Sequence, residues 1–222
     1  MAEQPMIVVR GEAVREVPPE IAQFSVTVSA RDKDRQVALS RLAERAAALR
    51  ATLDGYADAI ERRDTGGIQV RPELKRGGER VSAYVGSVST TVTVTDFGTL
   101  GEMLLRLADA EQTAISGPWW HLRSGSRAGA DVRREAIADA LGRAREYAQA
   151  VGAEVDRLIE ISDEGAGGGG GGGMMRAAAF GLESAELELE VDPQPQTVHA
   201  AVVVRVSITE PSALSEMCDK KI

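Results

Sequence analysis

The chain has 222 residues, 43% of them hydrophobic and 27% charged, with a formal net charge of −8. That is enough for one sizeable core or two small ones, in a chain of ordinary globular composition. The acidic balance argues against a nucleic-acid partner, which needs a basic face, and a lone cysteine, Cys218, excludes an internal disulfide and a cysteine zinc site.

Met6–Val14 reads as a strand, turned by Val17-Pro18-Pro19-Glu20 to pair with the next one. Ala22–Ala30 alternates strictly. Ala22, Phe24, Val26, Val28 and Ala30 share one face, and Gln23, Ser25, Thr27 and Ser29 the other, as in a half-buried strand. Asp34 is placed to cap a helix over 35–53, whose stripe is Ala38, Leu42, Ala46, Leu49 and Leu53, with Gly55 as its stop. Ile68, Val70, Pro72 and Leu74 alternate in a short strand, and the proline favours an edge. Arg71, Lys75, Arg76 and Arg80 surround Gly77-Gly78 and read as a solvated hairpin tip. Val81–Thr95 is a long strand with Val88, Val92 and Val94 on one face.

Thr95 or Asp96 then caps a short helix bearing Leu100, Leu104 and Leu107. Ile115–Leu122, ISGPWWHL, follows as a strand holding both tryptophans of the chain. Side chains alternate across a strand, so Trp120 and Leu122 share one face and Trp119 and His121 the other. One tryptophan fills a core; the other needs a cover, and Trp119 with His121 is the candidate interface. Asp131–Val151 is the strongest helix, with Val132, Ala136, Ala140, Ala144, Tyr147 and Val151 on one side and Gly152 as its stop. Leu158–Ser162 is a short strand. Val198–Thr209 contains AAVVVRV, a nearly continuous apolar run that predicts a central strand.

Between these last two strands, about 165–195, lies an insertion with seven consecutive glycines, Gly167–Gly173. Such a run is expected to be flexible, with Gly167, Gly170 and Gly173 marking the loop. Residues 211–222 are expected to form a flexible tail. Turn-linked strands imply antiparallel pairs and helices between strands imply crossovers. The expectation is one α+β domain over 1–210: a mixed, largely antiparallel sheet with helices on one face.

Chemistry is sparsely signalled. Gly165–Gly170 matches G-x-G-x-x-G only because a polyglycine run matches any glycine pattern, and too little chain follows to build a dinucleotide domain. His121 and His199, the only histidines, have no ligand-spaced neighbours on their own elements, and there is no G-x-S-x-G elbow. Glu183, Glu186, Glu188, Glu190 and Asp192 read as a solvated strand face rather than a cation loop. No catalytic, cofactor or metal residues are assigned. No basic segment followed by a long apolar one opens the chain, and the longest apolar run, Ala200–Val204, is too short to span a bilayer. As written, the chain is expected in the cytoplasm.

The order of motifs resembles the SIMPL-domain family, a bacterial group related to periplasmic immunogenic and oxidative-stress-defence proteins. The resemblance rests on Val9-Arg10-Gly11-Glu12-Ala13, Val17-Pro18-Pro19-Glu20, Thr65–Leu74 with Ala83-Tyr84-Val85, Asp96-Phe97-Gly98-Thr99-Leu100-Gly101, Ile115–Leu122, Arg133–Gly152 and Val198–Ile208. It covers about residues 6–209. It implies an α+β fold and, for some members, large ring- or cage-like homo-oligomers, with no established catalytic residues. The chain departs from the family in its polyglycine insertion and in showing no leader. The leading expectation is a non-enzymatic, self-assembling protein with a scaffolding or stress-protective role. A binding module that uses the glycine-rich loop is the first alternative. An enzyme whose site is assembled from distant residues is the second.

Overall fold

A computed structural model describes residues 4–75, 78, 80–164 and 189–212. The glycines Gly167, Gly170 and Gly173, the tail cysteine Cys218, and Arg76 in the hairpin lie outside the described residues. The elements are β1 (Met6–Val17), β2 (Ile21–Asp32), α1 (Arg35–Asp54), β3 (Ile60–Leu74), β4 (Val81–Val94), α2 (Leu100–Ala108), β5 (Thr113–His121), α3 (Arg127–Ala150), β6 (Val155–Asp163) and β7 (Gln196–Ile208). The fold is α+β. The strands form two sheets rather than one, in the orders β3-β4-β2-β5 and β1-β7-β6, and every registered pair is antiparallel. Each sheet with its helices is a compact unit.

The four-stranded unit comprises Pro18–Arg123 with residues 189–194. Its core follows the β2 alternation: Ala22, Phe24, Val26, Val28 and Ala30 are buried, and Val88, Val92 and Val94 of β4 join them. Leu42, Leu49 and Leu53 of α1 and Leu100, Met103, Leu104 and Leu107 of α2 close over this face. Asp34 caps α1 as its chemistry requires, accepting from the Gln36 and Val37 amides. Asp96, not Thr95, caps the short 3₁₀ turn that leads into α2, accepting from the Gly98 amide at 3.0 Å. Gly101 of α2 has no space for a methyl group, because the Leu189 carbonyl would lie 1.9 Å from it. Glycine therefore lets residues 189–191 pass directly over the helix, and Val191 packs on the core beside it.

The three-stranded unit comprises residues 4–17, 124–164 and 195–212. Here β1 pairs with β7 along its whole length, from Met6 opposite Ser207 to Val17 opposite Gln196. This corrects the expectation that β1 pairs with β2. Val17-Pro18-Pro19-Glu20 is not a hairpin turn, because β1 and β2 belong to different sheets. The AAVVVRV run is central, as its two-sided apolar character requires.

Helix α3 begins at Arg127 behind a Ser126 cap, four residues earlier than expected, and ends at Ala150. Its buried stripe is Val132, Ala136, Ala140, Ala144 and Ala148. Tyr147 does not belong to it and is 59% exposed. The helix crosses β1 closely. A Cβ on Gly11 of β1 would lie 2.1 Å from the Ala136 carbonyl oxygen and 2.5 Å from the Ala140 nitrogen. At this crossing the strand and helix backbones nearly touch, and position 11 has room only for glycine opposite Ala136 and Ala140.

Candidate functional site

The tryptophan strand β5 hydrogen-bonds to β2 alone among the described residues, so it forms one edge of the four-stranded sheet. Ile115 lies opposite Val26 and Trp120 opposite Ala22, so β5 takes five steps where β2 takes four. The extra residue sits at Gly117-Pro118, where the register shifts opposite Gln23–Ser25. Such an insertion reverses which side chains face inward. Without it, the inward parity of Ile115 would pass to Trp119.

Gly117 adopts φ +108°, and a Cβ there would stand 3.0 Å from the Gln23 carbonyl oxygen. A left-handed backbone pressed against a neighbouring strand requires glycine.

The bulge decides the fate of each tryptophan. Trp120 turns into the core, 7% exposed, and meets Phe97 edge-to-face with ring centroids 4.9 Å apart. Trp119 turns outward opposite Gln23 and is 45% exposed. His121, opposite Ile21, is exposed on the same face. The backbone anchors this end: the Glu20 amide donates to the His121 carbonyl at 3.0 Å, and the Arg123 amide donates to the Glu20 carboxylate at 2.9 Å.

Beside Trp119 the outer face of β2 is polar and uncharged from Gln23 through Ser29. Gln23 Nε2 donates to Thr93 Oγ1 at 3.5 Å, and the Ser25 and Ser89 hydroxyls meet at 2.9 Å. Trp119 is thus a large apolar surface at the border of a polar, hydrogen-bond-capable plane.

The opposite edge, β3, is built differently. Arg62 pairs with Asp64 at 2.7 Å, Arg63 with Asp54 at 2.6 Å, and Arg31 of β2 grips Glu73 through two bonds of 2.8 and 3.1 Å. The Arg31 hydrogen bonds hold the Glu73 carboxyl below its usual range. The neighbouring hairpin tip is solvated as expected: Lys75 and Arg80 are exposed, and Gly78 takes φ +76° to turn the chain.

His199 sits on β7 opposite Val14, in the other unit from His121. Glu190 and Asp192, the described members of the acidic run, are exposed. Among the described residues no three His, Cys, Asp or Glu side chains gather as metal ligands. No helix among them is long and apolar enough to cross a membrane.

The chain matches the family model SIMPL, described as a protein of unknown function (DUF541), over residues 7–206. The chain belongs to the SIMPL family. The match runs through both compact units. A comparison with curated proteins finds no match.

Proposed function

We propose that this SIMPL-family chain is a non-enzymatic protein that assembles with copies of itself along β5, with Trp119 and His121 in the contact. One observation carries the reading: Trp119 is 45% exposed on a strand whose outer edge is unpaired among the described residues. Tryptophan exposed on one face of an edge strand favours burial against a partner, because both its apolar ring and the free backbone groups gain from cover. A second copy offers the same edge, and a two-fold contact between like strands is self-complementary. A ring or cage, and a scaffolding or stress-protective role, rest on the family resemblance; the contact surface rests on β5.

Light scattering after size exclusion tests this directly. A discrete oligomer that falls apart in Trp119→Ala, while circular dichroism stays unchanged, supports the assignment. An intact oligomer in that variant, or a monomer in the unaltered chain, overturns it.

A further inference from the structure

Helices α1 and α2 do not close completely over the sheet. Between them a cleft of about 210 Å³ opens, within the four-stranded unit. Its floor is apolar: Val28 of β2, Leu49 of α1 and Leu107 of α2. These side chains belong to the buried core, so the cleft exposes the base of that core instead of a surface groove.

Two arginines flank it, Arg45 from α1 and Arg106 from the last turn of α2. Arg45 Nη1 donates to the Ser29 carbonyl at 2.5 Å, which fixes the guanidinium beside β2. A guanidinium has five N–H donors, so this bond leaves most of its fork available. Neither arginine has a carboxylate within ion-pair distance among the described residues. Arg106 lies against the Tyr56 hydroxyl, which donates to the Glu102 carboxylate at 2.8 Å. One acid, Glu111, also lines the cleft.

We infer that this cleft binds a small amphipathic carboxylate, its apolar tail on Val28, Leu49 and Leu107 and its carboxylate between Arg45 and Arg106. The argument is complementarity. In a chain of net charge −8, two arginines that form no ion pair among the described residues line one largely apolar opening, against a single lining acid, Glu111. A carboxylate can take a guanidinium fork through charge-assisted bonds that a neutral head group cannot match. The volume lies below the ~300–1,000 Å³ of drug-sized sites, which limits the ligand to a short chain or a single ring. A membrane lipid is too large for it. The site lies within one chain, so it does not depend on the assembly proposed above.

Titration calorimetry with sodium octanoate tests it, alongside octylammonium as the charge-reversed probe. Saturable one-to-one binding of octanoate is expected, with octylammonium at least about tenfold weaker. Arg106→Gln, on an exposed side chain, is expected to weaken octanoate by about tenfold, the worth of one charged hydrogen bond. Ala48→Phe, which fills the cleft from α1, is expected to abolish binding, and Glu111→Gln to tighten it. Trp119→Ala is expected to leave it unchanged. Unsaturable binding, equal binding of octylammonium, or affinity unaltered in both Arg106→Gln and Ala48→Phe would overturn the site.

Discussion

The two edges of the four-stranded sheet solve the same problem in opposite ways. An edge strand presents unpaired N–H and C=O groups that invite another strand. Over its 15 residues β3 carries Glu61, Arg62, Arg63, Asp64, Arg71 and Glu73, with Pro72 and the Gly66-Gly67 pair. Its register shifts three times against β4. Charge, proline and irregularity each make it a poor template. The nine residues TAISGPWWH of β5 also include a proline, Pro118, but hold no Asp, Glu, Lys or Arg, and the strand has one bulge. That bulge does not hide the strand; it turns a tryptophan outward. One edge is protected and the other is left available, which is why the proposed association surface is placed on β5.

The sharpest way to break the comparison is to exchange the roles of the two tryptophans. Trp120→Ala empties a core position and is expected to cost about 3–5 kcal/mol in urea unfolding. Trp119→Ala is expected to change stability by no more than about 0.5 kcal/mol, its effect falling on solution mass. If the two variants unfold alike, the bulged register is wrong. Next is Gly117→Ala, which forces a Cβ against Gln23 in a left-handed backbone and is expected to cost about 1–3 kcal/mol, read from the thermal midpoint. Removing the protection of β3 tests the other side. Arg62→Val with Asp64→Val is expected to raise turbidity on heating, with little change in the unfolding midpoint.

The smallest effect is a pH dependence at the Arg31–Glu73 pair. The Glu73 pKa is lowered on folding, chiefly by its hydrogen bonds from Arg31. Its contribution is therefore complete above the ordinary glutamate pKa of about 4.3 and disappears as pH falls through the lowered folded value. The difference in urea midpoint between the unaltered chain and Arg31→Met should be largest near neutrality and vanish in strong acid. Both groups are exposed, so added salt should shrink it as well.

How much of this was readable from sequence depends on the range of the interaction. The β2 alternation states its own burial, because period two is a local property, and Asp34 announces its helix for the same reason. The partner of β1 was not legible. Met6 pairs with Ser207, far along the chain, and no local pattern distinguishes that choice from pairing with β2. Tyr147 was misplaced because helical spacing alone admits it to the stripe, whereas at that turn the buried positions are Ala144 and Ala148. The outward Trp119 and His121 were readable as a shared face; the bulge that gives Trp119 that direction was not. The arginine-flanked cleft gave no signal, since its lining comes from four separate elements.

The opposed tryptophans also make the molecule its own pair of optical probes. Trp119 and Trp120 are the only indoles in the chain, one in water and one against Phe97 in the core. Emission from the unaltered protein should therefore resolve into a red component that iodide quenches and a blue one that it does not reach. Loss of the quenchable component on raising concentration would follow contact between copies. Loss of the blue component would follow melting of the four-stranded core, so one spectrum separates the two events without a label.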